Sequence, residues 1–236
     1  MENASKALII AGSVLMAVLV IGALMLMYNQ IADIEQTKTD NDELSKMEDY
    51  SKKFEEYNGT IYGSELFSLA NLQDDYTKRY KQEDGYTKIA IKVIINNSIS
   101  GTELFQSGAS DISGILKDKN TIEEAINEIE GNTILGSKGK SVKYYTQLSI
   151  RQLVDSLQKD KLISGDYEPA SDADEDTIKQ ELIRLNSNCQ KLFEAIETYK
   201  NTKSVYTEFK NKRFKCTNVT YNKNNGRIES MRFEEK

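Results

Sequence analysis

The sequence contains no histidine and no tryptophan, and only one proline and two cysteines in 236 residues. Without histidine, Ser-His-Asp and Cys-His catalysis, His-ligated zinc and an imidazole pH switch are all excluded. A single proline rules out collagen-like or polyproline-II linkers. Two cysteines can make neither a disulfide-dense scaffold nor a four-thiolate metal site. Positive charge is also scarce: 31 Lys and Arg stand against 37 Asp and Glu, a net charge of −6, so no nucleic acid is expected as a partner.

The strongest positive signal is at the start. Ala7 to Met27 is a run of 21 residues without a charge, roughly 31 Å as a helix, which matches the hydrocarbon thickness of a bilayer. A cleaved secretory signal has a shorter apolar region ending in small residues. Here the run ends in Met25-Leu26-Met27, with Tyr28 as an interfacial anchor, and the only late small residues, Gly22-Ala23, lie inside it. The expectation is an uncleaved, single-pass signal anchor over 7–27. Lys6, Glu2 and the amino terminus precede it, and a flank that leans acidic (Asp33, Glu35, Lys38, Asp40, Asp42, Glu43) follows. By the positive-inside tendency, residues 1–6 form a cytoplasmic leader and the rest of the chain is extracytoplasmic. Ala4, Ala7 and Ala11 lie on one helical stripe, and Ser13 and Ala17 form a small-xxx-small pair. Both fit close helix packing, and both also fit the ordinary alanine content of transmembrane helices.

Residues 28–60 read as a stalk. Leu44, Met47, Tyr50, Phe54 and Tyr57 recur at helical spacing until Asn58-Gly59 ends the pattern. This segment is either one rod continuous with the anchor or a tether followed by a separate helix. Residues 61–236 are long enough for one domain with its own core. Its expected class is α+β, with helices packed on a small, mainly antiparallel sheet that ends in a β-hairpin.

Within that domain Ser64 is placed to cap a helix carrying Leu66, Leu69, Tyr76 and Tyr80. Tyr86 to Asn96 alternates as a half-buried strand. Ser98 to Lys119 reads as a long loop, and Thr121 with Glu124 as a capping box opening a short helix. Gly131 to Gly139 reads as loop or weak strand, Val142 to Thr146 as strand, and Ser149 with Gln152 as a second capping box. A single long helix is expected from Ile178, Leu182, Leu185, Cys189, Leu192, Ile196 and Tyr199, extending toward Tyr206 and Phe209. The hairpin is expected at Arg213 to Asn222 and Arg227 to Glu235, turning at Asn224-Asn225-Gly226.

Candidate chemistry is sparse. Asp172, Asp174 and Asp176 alternate as calcium ligands do, but an EF-hand loop would need glycine at Thr177 and glutamate at Ile183. The acidic cluster fits a helix N-terminus better. Cys189 and Cys216 either pair as a disulfide or serve as ordinary thiols. Gly131, Gly136 and Gly139 match neither the P-loop nor the dinucleotide fingerprint. The 13 tyrosines suit binding surfaces and equally suit rims of the core. Lys210, Lys212, Arg213 and Lys215 form a short basic run, and Asn58 and Asn218 head Asn-x-Thr triplets. Ser-Lys dyads and carboxylate pairs remain open to a chain without histidine, but no spacing marks one. No cofactor is expected.

Residues 4–57, an apolar helix running into an amphipathic one ahead of an exported α+β domain, resemble type IV pilin-like proteins. The resemblance implies export, helix-mediated assembly and no catalysis. The family's processing glutamate has no counterpart, since the fifth residue after Gly12 is Ala17 and after Gly22 is Met27. The bias to Lys, Asn, Ile and Tyr is similar to that of proteins from AT-rich Gram-positive bacteria. The leading expectation is a non-enzymatic membrane-anchored protein that meets the lipid bilayer and contacts a partner, or itself, through the N-terminal helix. The alternative is a membrane-tethered ligand-binding or sensory module, with an enzyme third.

Overall fold

The computed structural model describes residues 20, 21, 24, 25, 27, 45–81, 88–100, 102–223 and 225–236. The chain divides into two compact units, Met1–Glu55 and Glu56–Lys236. In the first, Val20, Ile21, Leu24, Met25 and Met27 are helical and 54–68 % exposed. Residues 45–55 form a helix, α1, with Tyr50, Ser51 and Phe54 as its buried residues. Among the described residues no helix is long and apolar enough to cross a membrane. The leader 1–6 and the rest of the 7–27 run lie outside them, as does the question of a continuous rod through 28–44.

The second unit is α+β, with a mixed five-stranded sheet carrying helices. Its strands are β1 (Thr60–Tyr62), β2 (Ala90–Ile95), β3 (Gly108–Asp111), β4 (Arg213–Tyr221) and β5 (Ile228–Glu235), in the order β1-β4-β5-β2-β3. The β1–β4, β4–β5 and β2–β3 pairings are antiparallel, and β2–β5 is parallel, with Ile91 opposite Met231 and Val93 opposite Phe233. Strict alternation explains β2: Ile89, Ile91, Val93 and Ile95 are all buried. The C-terminal hairpin forms where the sequence places it, with Gly226 at φ 69° in its turn.

The helices are α2 (Gly63–Arg79), α3 (Ile112–Gly131), α4 (Val142–Tyr145), α5 (Ile150–Lys159), α6 (Glu175–Leu185) and α7 (Asn188–Asn211). α2, α3 and the C-terminal half of α7 pack with the sheet around an aromatic stack. Phe105 lies 3.9 Å from Phe209 between ring centroids, Phe67 5.0 Å and Phe214 5.6 Å. A second core joins Val142, Tyr145, Leu153, Leu157, Ile178, Leu182, Cys189 and Leu192, so α4–α6 gather on the N-terminal half of α7. At 24 residues, α7 is about 36 Å long and spans both cores.

Several elements differ from their sequence pattern. The Ser98–Lys119 stretch is not one loop: it contains β3 and half of α3, which starts at Ile112 with Asp111 accepting the Ser113 amide at 3.0 Å. Thr121 therefore lies inside α3, its hydroxyl donating to Lys117 O at 3.0 Å, and does not cap. Val142–Tyr145 is a helical turn, although its β-branched and aromatic residues favour a strand. Among the described residues no strand pairs with it, and it buries Val142 and Tyr145 in the second core. Gly136–Lys138 is a short 3-10 turn. The cap of α2 is Tyr62, whose amide the Glu65 carboxylate takes at 2.7 Å, so the helix begins before Ser64.

The long helix expected from Ile178 onward is broken. Asn186 leaves helical geometry at φ −148°, its carboxamide donates to Leu162 O at 3.0 Å, and its oxygen accepts the Asn188 amide at 3.0 Å. These side-chain bonds replace the ladder for one residue and set α6 and α7 apart. Leu185 consequently leaves the stripe and is exposed, while Cys189 and Leu192 are fully buried.

Two contacts lock the sheet to the helices. Gly63 sits against the end of α7, and a Cβ there would lie 1.9 Å from Phe209 O. Lys212 Nζ bonds Glu235 at 2.6 Å with both side chains nearly buried, and it also donates to Asn97 O at 2.9 Å. The Asn96 and Asn97 amides donate to Glu235 at 2.7 and 3.0 Å. Burial alone would raise the Glu235 carboxyl, but the bonds from Lys212, Asn97 and Asn96 and the lysine charge hold it below the usual carboxylate range.

Gly63→Ala is therefore expected to cost about 2 kcal/mol or more, read as a lowered thermal midpoint. A depressed folded pKa gives stability that is present above the unfolded value near 4.3 and is lost as pH falls through the folded one. Glu235→Gln should accordingly flatten the loss of stability below about pH 5 in urea titrations. An unchanged acid slope would show that the clamp contributes nothing.

Candidate functional site

The helix-packing candidates Ala4, Ala7, Ala11, Ser13 and Ala17 lie outside the described residues. Cys189 and Cys216 are both free thiols. Cys189 lies at the start of α7, about 30 Å along the axis from Phe209, while Cys216 is in β4 just beyond Phe214. The two could not be bridged without moving the backbone. Burial pushes the Cys189 thiol up to about 11, which makes it an inert core residue. Asp174 caps α6: its carboxylate accepts the Thr177 amide at 2.7 Å, and that bond holds it below its ordinary range. Among the described residues no group of three His, Cys, Asp or Glu could hold a metal ion.

The basic run is divided among several roles. Lys212 is in the Glu235 clamp, Lys210 lies over the Tyr206 ring at 5.3 Å, and Arg213 over Tyr62 at 5.4 Å. Lys215 is exposed on the sheet, and Asn58 and Asn218 are exposed as well.

The most ordered polar arrangement lies along the seam of α3 and α7. The Tyr206 hydroxyl donates to Glu123 at 2.7 Å, and Glu123 is paired with Lys119 at 2.8 Å. Seven residues away on each helix the pattern repeats. Tyr199 donates to Glu130 at 2.8 Å, and Glu130 is paired with Lys143 at 2.8 Å. Each tyrosine carries a lysine four residues on over its ring, Lys203 at 5.2 Å and Lys210 at 5.3 Å. Burial, then the Glu123 bond and charge, push the Tyr206 phenol up to about 12, so it stays a donor at any physiological pH. Hydrogen bonds from Lys143 and Tyr199 hold the Glu130 carboxyl below its ordinary range. The spacing of Tyr199 to Tyr206 and of Glu123 to Glu130 was visible in the sequence, but only the antiparallel helix pairing joins the two series.

Beside this ladder a groove of about 300 Å³ runs between α3, α7 and the loop before β3, lined by Thr102, Leu104, Ile122, Ala125, Thr202 and Val205 among others. Thr121, Thr198 and Thr202 donate their hydroxyls back to helix carbonyls, which spends their polar groups and leaves methyls for the groove. Among the described residues no carboxylate, amine or thiol lines it; the Thr102 hydroxyl and the Asn201 carboxamide are its remaining polar groups, so the groove can hold a largely apolar group and offers no strong acid or base.

No protein-family model, no curated protein and no solved structure matches this chain.

The arrangement nearest to a Ser-Lys catalytic set is Lys140, Tyr144, Ser156 and Asp160. Lys140 lies 3.2 Å from Asp160 and 4.4 Å from the centre of the Tyr144 ring. Its bond to Asp160 raises its pKa, which keeps it a cation unable to accept a proton, and the Ser156 Oγ is shut off from solvent. These residues tie α5 to the preceding loop rather than present a nucleophile.

Tyr206→Phe is expected to cost about 1–2 kcal/mol in urea unfolding, and Glu123→Gln a similar amount. The double variant should cost less than both together, by the coupling between hydroxyl and carboxylate. Additive costs would show that the rung contributes no interaction of its own.

Proposed function

We propose that this chain is a single-pass membrane protein with a cytoplasmic N-terminus. Its extracytoplasmic α+β domain contacts a partner or assembles in the envelope, and does not catalyse a reaction. The observation that carries the reading is the exposure of Val20, Ile21, Leu24, Met25 and Met27 on a helix. They belong to the uncharged run Ala7–Met27. Apolar side chains so displayed are costly in water and at home in hydrocarbon. The resemblance of residues 4–57 to type IV pilin-like proteins supports assembly through that helix. The interior polar groups support the non-catalytic reading, because ladder, clamp and caps commit the best-placed carboxylates and lysines to holding elements together.

The chain is expected to stay with membranes through alkaline carbonate extraction. Protease added to intact cells should degrade the domain and leave a short N-terminal fragment. Ala17→Arg with Val20→Arg, each about 3 kcal/mol against insertion, should release it. Crosslinking in membranes should trap a dimer or a partner through residues 4–57. Recovery in the soluble fraction would overturn the anchor, and a strictly monomeric chain with no crosslinked partner would overturn the interaction role.

A further inference from the structure

Among the described residues the helices pack on one face of the sheet, and the side chains of the other face are mostly exposed. Register identifies its residues. Tyr62 stands opposite Arg213; Lys215 stands beside Glu234; and Asn218, Arg232, Lys92 and Asp111 form one row across β4, β5, β2 and β3. This face therefore carries four cations and two carboxylates, on a chain whose net charge is −6.

Both carboxylates are already engaged. Glu234 pairs with Arg232 at 2.8 Å, and Asp111 caps α3. Lys92, Arg213 and Lys215 have no carboxylate within ion-pair distance among the described residues. Lys92 and Arg232 stand directly opposite each other across β2 and β5, a like-charge placement that disfavours the isolated sheet.

The face is also broad: five strands at ~4.8 Å spacing make it roughly 24 Å wide. Tyr62, 46 % exposed, adds an aromatic ring of the kind found at membrane interfaces. An array of amines and guanidiniums spread over a broad sheet surface complements a plane of anionic phosphates better than it does a peptide.

We infer that the open sheet face, through Lys92, Arg213, Lys215 and Arg232, rests on the anionic lipid headgroups of a bilayer surface. The inference rests on the membrane-anchored reading, since an anchor in the same bilayer supplies the effective concentration that a weak electrostatic contact needs.

The test uses the full chain reconstituted, one copy per disc, in nanodiscs of phosphatidylcholine alone or with phosphatidylglycerol. Acylation of lysines by an amine-reactive reagent is followed by mass spectrometry. Lys92 and Lys215 should react about fivefold more slowly or less on the anionic discs, with Lys191 unchanged as the reference. The protection should vanish at about 0.5 M salt and in Arg213→Glu with Arg232→Glu. The circular dichroism of that variant must match the parent, and a variant that fails this is replaced by Arg213→Gln with Arg232→Gln, expected to lose part of the protection. Equal reactivity on both lipids overturns the inference while leaving the anchor intact. Protection that follows the number of copies per disc rather than lipid charge also overturns it and makes a second copy the occupant. A chain that does not enter discs at all fails the anchored reading itself, and the inference falls with it.

Discussion

Phe209, near the C-terminal end of α7, lies in the stack formed with Phe67, Phe105 and Phe214, and its carbonyl is the surface against which Gly63 closes. Segments far apart in sequence meet there: the start of α2, the loop before β3, the end of α7 and the first residues of β4. Phe105 reaches the stack only by adopting a positive φ of 51°, with its amide held by Asp118 at 2.8 Å. Such a conformation costs energy on a non-glycine residue, and the ring burial offsets it. Three residues beyond Phe209, Lys212 closes the clamp on Glu235 and so joins the helix end to the last strand and to the residues after β2. That join lies at the end of the parallel β2–β5 pairing, which links strands separated by most of the domain.

Local chemistry made part of this legible in advance. The alternation of β2, the Ser149–Gln152 box of α5, the acidic N-terminus of α6 and the Asn-Gly turn of the hairpin are each decided by neighbours in sequence, and each lies where its pattern puts it. The differences arise where tertiary contacts outvote composition. The Ser, Gly and Asp residues before Lys119 look like loop because the pairing of β3 with β2 is not local, and Ile112 and Ile115 are too few to announce a helix alone. Val142 and Tyr145 are buried in a core built from helices and their connecting loops rather than against the sheet. The break at Asn186 depends on Leu162 O, 24 residues away, and no periodicity records such a partner.

The seam and the sheet face were legible to different degrees. Heptad spacing was present in the sequence, of glutamate on α3 and of tyrosine on α7, but a carboxylate and a phenol meet only when the two helices run antiparallel in one register. The cations of the open face are scattered over three strands and become neighbours through pairing alone. Net charge hides them, because most of the acidic excess lies on helices and loops. The overall acidity of the chain is thus compatible with a local surface of the opposite sign.

The repeated rung on α3 and α7 has a mechanical consequence. One hydrogen-bonded pair would let two helices pivot about it, whereas two pairs separated by a heptad remove that pivot. A slip of one turn, about 5.4 Å, would break both tyrosine–carboxylate bonds at once. α7 therefore behaves as a stiff beam bolted to its neighbour, with the sheet at one end and the α4–α6 cluster at the other. Displacing either end of α7 along the seam has to break both tyrosine–carboxylate bonds together.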